Sequence, residues 1–105
     1  MMKVSYGKLR PEDRPALESA VRAFRANGLR SGLHGTSLWN PRYKDIDLLV
    51  VAFEKEGVRD FLKAVSRLKK QGAKVLAKRG NEKIGLDYDM KFGKAVLHVS
   101  YVPLL

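Results

Sequence analysis

Hydrophobic side chains recur along the chain with two spacings, which predict two helices and a set of strands. Apolar residues three or four positions apart predict one helix over residues 11–27 and a second from residue 58 to the stop at Gln71-Gly72. Between them, residues 29–34 predict a short strand. The near-continuous apolar run over residues 46–53 is typical of a central strand covered on both faces.

The last third of the chain alternates between apolar and polar residues, which predicts strands. The predicted strands are residues 73–79, 83–91 and 95–102, with turns at Gly80-Asn81 and around Gly93. The order helix, strand, strand, helix and then a meander indicates an α+β fold. Residues 1–10 show little pattern. Because no repeat, low-complexity segment or linker divides the sequence, residues 1–105 are predicted to form one domain.

Composition narrows the classes of protein to consider. The chain has no cysteine, which excludes disulfides, thiolate metal sites and a cysteine nucleophile. It has 21 Lys and Arg against 11 Asp and Glu, a net charge of +10, which suits a polyanionic partner such as nucleic acid. The positive charge is dispersed, however, and also fits the surface of a heat-adapted protein. With no signal segment or membrane-length apolar run, we expect a soluble, cytoplasmic protein.

Two aspartates stand at the beginning of the apolar run. In a strand, alternate side chains share a face, so Asp45 and Asp47 would point the same way with Cβ atoms about 6.6 Å apart. Two carboxylates at that spacing can reach one divalent cation or a metal pair. Their oxygen ligands suit Mg²⁺ or Mn²⁺ better than zinc. The alternative is a solvated acid pair at a strand end.

A second pair of aspartates lies on a later predicted strand. Asp87 and Asp89 share one face of it. The opposite face is predicted to pack on the helices, and its members are Ile84, Leu86, Tyr88 and Met90. Either aspartate would bring a third carboxylate to the metal site, with Gly85 leaving space beside it. The alternative is the solvated outer face of an antiparallel strand.

The turn Gly35, Thr36, Ser37 precedes the first aspartate pair and is predicted to start a helix running to Asn40. Backbone N–H groups at a helix N-terminus form a seat for phosphate, to which either hydroxyl adds a hydrogen bond. The same residues would be equally suitable as a plain helix cap.

Taken together, these motifs resemble the nucleotidyltransferase superfamily with the DNA polymerase β-like catalytic fold, and its minimal single-domain members in particular. The matching stretches are Leu33-His34-Gly35-Thr36-Ser37 and Asp45-Ile46-Asp47-Leu48-Leu49-Val50. The chain departs from the family where Thr36 replaces Ser and where Trp39-Asn40-Pro41 stands in place of Ala-Arg-Gly. The resemblance implies a mixed central sheet with helices packed on one side.

The resemblance also implies an activity, which is metal-dependent transfer of a nucleoside monophosphate from an NTP, with ATP the expected donor, to an acceptor hydroxyl. Asp45 and Asp47 would hold Mg²⁺ or Mn²⁺, and Asp89, or Asp87, would complete the metal site and act as base. The phosphates would be bound by Gly35, Thr36, Ser37, Arg42 and Lys44. Trp39 and Tyr43 are expected either to stack on a base or to pack over the loop. His34 and His98 are expected to be ordinary strand residues.

Two other functions fit the same sequence. The fold could serve as a non-catalytic, antitoxin-like partner of a separate helical protein, because minimal members of this family often work beside one. Alternatively, the basic composition could make the chain an RNA- or DNA-binding module. The intact aspartate pair favours catalysis, since a pure anion binder gains nothing from negative charge in its cleft.

Overall fold

The computed structural model describes residues 5–52 and 56–103, and it contains two helices and five strands there. The predicted strand residue 53 and the break at 54–55 lie outside this range. A 3-10 turn, Pro11–Asp13, directly precedes the first helix. The elements are α1 (Arg14–Ala26), β1 (Arg30–His34), β2 (Ile46–Ala52), α2 (Gly57–Lys70), β3 (Lys74–Asn81), β4 (Gly85–Phe92) and β5 (Ala95–Pro103). In these ranges, no helix is long and apolar enough to cross a membrane.

The strands form one mixed sheet in the order β1-β2-β5-β4-β3. β2 and β5 are parallel, while the other three neighbouring pairs are antiparallel. The last strand along the chain is therefore inserted between β2 and β4. The predicted α+β class with a mixed central sheet is confirmed.

Both helices pack on one face of the sheet, as predicted. Phe24 of α1 stacks on Phe61 of α2 with ring centres 5.6 Å apart. Phe61 in turn contacts Tyr88 on β4 and Tyr101 on β5. The strand residues beneath the helices are fully or nearly buried, including Ile46, Leu48, Val50, Leu97 and Val99. Each such side chain contributes about 1.5–3 kcal/mol to folding. The alternate strand residues form the opposite face, here called the open face, which no described helix covers.

Two local predictions were wrong. β4 begins at Gly85 instead of residue 83, and Ile84, predicted to pack on the helices, is 79% exposed. β3 extends through Gly80 and Asn81, which were predicted to form the turn, and the turn covers residues 82–84. The cause is the side chain of Asn81, whose Oδ1 accepts hydrogen bonds from the backbone N–H groups of Lys83 and Ile84. The helix predicted from Thr36 to Asn40 is only a 3-10 turn, Thr36–Leu38.

The segment before α1 packs against this 3-10 turn. The Lys8 N–H donates to the Ser37 carbonyl over 3.0 Å. Gly7, with φ of +54°, lies so close that a Cβ there would be 2.9 Å from Leu38 Cα. Residues near the N-terminus, where the sequence shows little pattern, thus fix the turn that leads to the first aspartate pair.

Candidate active site

The centre of the site is a close approach between a glycine and a carboxylate. His34, the last residue of β1, pairs with Asp47 on β2, so the chain turns at Gly35 directly beside Asp47. Gly35 has φ 73° and ψ −157°, a backbone conformation that is essentially restricted to glycine. A Cβ at this position would lie 2.3 Å from Asp47 Oδ2. The Asp47 carboxylate therefore rests against the backbone of the turn.

The two predicted metal ligands occupy different environments. Asp47 lies within β2 and is half-buried on the open face, whereas Asp45 lies in the bend before β2 and is exposed. Asp45 is thus freer to adjust its position than its partner. Asp47 is therefore a carboxylate on the open face, and Asp45 lies two residues before it, just outside the strand.

The turn after Gly35 differs from the predicted helix start. A three-residue 3-10 turn carries little of the dipole of a long helix, although its first N–H groups have no partner inside the turn itself. The Thr36 side chain is exposed. Ser37 is fully buried, and its Oγ has no hydrogen-bond partner among the described residues. Of the two hydroxyls, only that of Thr36 lies at the surface.

The loop between the turn and β2 is anchored through Tyr43. This side chain is 4% exposed, and its hydroxyl donates a hydrogen bond to the carboxylate of Asp13, at the start of α1. The backbone N–H of Arg10 donates to the same hydroxyl over 3.0 Å. Burial and the hydrogen bond to Asp13 raise the pKa of Tyr43. Tyr43 therefore packs under the loop and is not available to stack on a base.

Three other loop residues face solvent. Trp39 is 66% exposed, and Arg42 and Lys44 are exposed as well. The Arg42 N–H donates to Asn40 Oδ1 over 2.9 Å, which shapes the loop locally. The aromatic ring and the two cations are consequently accessible from solvent on the loop that leads to Asp45.

The sheet places four polar residues in one row across the open face. His34 pairs with Asp47, Asp47 pairs with His98 on β5, and His98 pairs with Asp89 on β4. The two histidines of the chain therefore lie on either side of Asp47 in this row. The sequence did not reveal this arrangement, because it depends on the insertion of β5 between β2 and β4.

His98 connects the second aspartate pair to the row. Its Nδ1 lies 2.6 Å from Asp89 Oδ1, and its Nε2 lies 3.7 Å from Asp87 Oδ1. Arg79 on β3 donates to Asp89 Oδ2 over 3.2 Å. Burial acts to raise the pKa of Asp89, but the hydrogen bonds from His98 and Arg79 and their charges outweigh it, so the pKa is lowered. Asp89 is therefore ionised at neutral pH.

The two aspartate pairs are not direct neighbours. With β5 between β2 and β4, the backbones of Asp47 and Asp89 are separated by two strand spacings, about 10 Å. Among the described residues, no three His, Asp or Glu side chains converge as a preformed metal site. Mg²⁺ is commonly held by only one or two carboxylates together with water and substrate phosphates. Asp45 and Asp47 fit that requirement.

The fold is shared with solved structures of RNA-modifying transferases. One is a structure of Cid1 described for its RNA terminal uridylyl transferase activity, with TM-score 0.69 and 15% identity over 86% of this chain and 30% of that one. Another is the Cid1 poly(U) polymerase with MgGTP bound, with TM-score 0.65 and 16% identity; the match covers 97% of this chain and 34% of that one. A third is a cytoplasmic RNA terminal U-transferase, with TM-score 0.63 and 15% identity; the match covers 98% of this chain and 32% of that one.

These similarities establish the fold of the chain. It is the nucleotidyltransferase fold, as the two sequence motifs predicted. The chain spans about a third of the length of these structures. No family model and no curated protein matches the sequence.

Proposed function

We propose that the chain transfers a nucleoside monophosphate from an NTP to an acceptor hydroxyl at the open face of its sheet. The observation that carries the proposal is the contact between Gly35 and Asp47, where backbone without a side chain lies against a carboxylate. The missing side chain leaves room for the Asp47 carboxylate beside the turn, so a cation held by Asp47 would lie next to the backbone N–H groups proposed to bind the phosphates. The shared fold supports the same chemistry.

Each residue has a distinct part in the proposal. Asp45 and Asp47 bind Mg²⁺ or Mn²⁺, which when bound neutralises the triphosphate of the donor, with ATP the proposed substrate. The backbone of Gly35 and Ser37 and the hydroxyl of Thr36 bind the β- and γ-phosphates. Ser37 contributes through its backbone alone, because its hydroxyl is buried.

The remaining predicted residues lie around this centre. Arg42 and Lys44 are exposed on the loop before Asp45 and supply positive charge to the phosphates. Asp89 and Asp87 supply the third carboxylate of the proposed site from β4. Asp89 is ionised and accepts hydrogen bonds from His98 and Arg79, so Asp87, with the more exposed side chain, is the more accessible of the two carboxylates.

The acceptor is proposed to be held partly by another protein segment or chain. Two of the solved structures with this fold are of RNA terminal uridylyl transferases, and this chain spans only about a third of their length. No described helix covers the open face, so among the described residues no element faces the site from the other side to enclose an acceptor. A helical partner, or further sequence joined to this chain, would provide the second half of the cleft.

Substitution of the first aspartate pair tests the proposal. Asp45→Asn and Asp47→Asn should each reduce NMP transfer by at least about 100-fold, because each removes a charged ligand that stabilises the transition state. Transfer is measured with labelled ATP, GTP, CTP and UTP, Mg²⁺ and cell extract, and Asp60→Asn on α2 serves as the matched control. Unchanged transfer in both variants, with unfolding midpoints equal to wild type, would exclude these residues from the chemistry.

A further inference from the structure

The imidazole of His98 is oriented by a carboxylate. Asp89 Oδ1 accepts a hydrogen bond from Nδ1 over 2.6 Å, and Arg79 holds the other oxygen of Asp89. This leaves Nε2 as the ring nitrogen without a short contact. Histidines that bind metals in proteins usually have this arrangement, in which a carboxylate accepts the N–H of the nitrogen that does not bind the metal.

The free nitrogen faces an oxygen at a distance that suits a shared cation. Nε2 and Asp87 Oδ1 are 3.7 Å apart, which is too long for a hydrogen bond. Two ligand bonds of about 2.1 Å separate the ligand atoms by about 3.4 Å at the tetrahedral angle and by about 3.0 Å at 90°, so a shift of about 0.3–0.7 Å would let both atoms bind one cation. The Asp87 side chain is 45% exposed, so water and phosphate oxygens can complete the coordination.

We propose that His98 Nε2 and Asp87 Oδ1 bind a divalent cation, with Asp89 as the carboxylate that positions the imidazole. The inference rests on the proposed nucleotidyl transfer, for which this cation is a second one beside that of Asp45 and Asp47. It also separates the roles of the second aspartate pair. Asp89 has both oxygens engaged by His98 and Arg79, whereas Asp87 Oδ1 faces the free nitrogen.

A nitrogen ligand changes the preferred metal. Imidazole suits first-row transition metals, Zn²⁺ most and Mn²⁺ least, whereas Mg²⁺ prefers sites made only of oxygen. The His98 site should therefore take Mn²⁺ more tightly than Mg²⁺, while the aspartate pair accepts both. A cation with two protein ligands binds weakly unless a triphosphate is present, so binding is measured with and without a non-hydrolysable ATP analogue.

Counting bound Mn²⁺ by electron paramagnetic resonance tests the site. With the analogue present, the wild type should bind two Mn²⁺, and His98→Gln and Asp87→Asn should each bind one. Asp89→Asn should keep both ions but weaken one by about 10- to 100-fold. Glu82→Gln, an exposed acid in the turn before β4, is the matched control and should bind two. Two bound ions in both His98→Gln and Asp87→Asn would overturn the proposal.

The outcome separates this inference from the proposed function. If only the His98 site is wrong, His98→Gln binds as wild type while Asp47→Asn loses an ion. If the proposed function is wrong, Asp47→Asn loses no ion and no NTP is consumed. A readout on the unsubstituted protein guards against misfolded variants. Zn²⁺ should shift the ¹⁵N resonance of His98 Nε2 and leave Nδ1 protonated, and an unchanged Nε2 resonance would refute the site.

Discussion

Replacing Gly35 by alanine perturbs the contact on which the proposed function depends. The added Cβ would lie 2.3 Å from Asp47 Oδ2, where carbon contacts are normally about 3.5–4.0 Å. The carboxylate must therefore move by more than about 1 Å. The alanine must also adopt φ 73° and ψ −157°, which costs on the order of 1–3 kcal/mol.

The backbone strain and the displacement of Asp47 lower two different quantities, stability and transfer activity. The backbone strain should lower the free energy of unfolding by about 1–3 kcal/mol. The displacement of Asp47 should reduce NMP transfer by about 100-fold, because a shift of about 1 Å in a catalytic group has that effect. Unfolding in urea and transfer of label from the NTP measure the two quantities in one preparation.

Gly28→Ala is the matched control. Gly28 has φ of +78°, but a Cβ there would meet nothing within 4 Å. Its alanine variant should be destabilised by about 1–2 kcal/mol and retain full transfer activity. The double variant Gly35→Ala/Asp47→Ala removes the atom that the new Cβ would strike, so Gly35→Ala should cost less stability in that background than in wild type.

The reasoning fails if Gly35→Ala behaves like Gly28→Ala, with lower stability and unchanged transfer. It also fails if Gly35→Ala costs the same in the presence and absence of the Asp47 carboxylate. Either result would mean that the turn does not constrain Asp47.

Two further predictions concern the residues that hold the site in place. Burial raises the pKa of Asp89, but the hydrogen bonds and charges of His98 and Arg79 lower it overall. The ionised Asp89 side chain therefore stabilises the fold above about pH 4, and this stabilisation is lost as the pH falls through the pKa of Asp89 in the folded protein. Asp89→Asn should therefore flatten the acid dependence of the urea midpoint below pH 4, and an unaltered dependence would contradict this. Tyr43→Phe removes one of the two donors to the buried carboxylate of Asp13, leaving Arg10 Nε, and also removes the acceptor of the Arg10 backbone N–H. It should cost about 1–3 kcal/mol, whereas an unchanged urea midpoint would show that this anchor is not needed.

Local patterns in the sequence predicted the elements well. The helical spacing of apolar residues gave α1 and α2, because it follows from the 3.6-residue turn and needs no knowledge of the rest of the chain. The error at Ile84 was also local in origin. An Asn side chain that hydrogen-bonds the backbone two and three residues ahead extends a turn, and attention to Asn81 would have moved the start of β4.

Pairing between distant strands was the part that the sequence could not predict. Alternation showed that Asp87 and Asp89 share a face, but it does not reveal which strand lies beside β4. His98 therefore passed as an ordinary strand residue, although it lies between Asp47 and Asp89 in the sheet. Likewise, Tyr43 contacts a residue 30 positions away, a distance over which sequence patterns carry no signal.

The distribution of charge gives an independent reason to expect cations at the open face. The chain has 11 acidic residues and a net charge of +10, yet Asp47, Asp87 and Asp89 share this face and Asp45 lies at its edge. In the described parts of the chain, Asp45, Asp47 and Asp87 form no ion pair with Lys or Arg. Like charges gathered on one face repel unless something positive lies between them. The chain has 21 basic side chains, yet none of the described Lys or Arg residues neutralises these three acids, which fits the proposed binding of a divalent cation at this face.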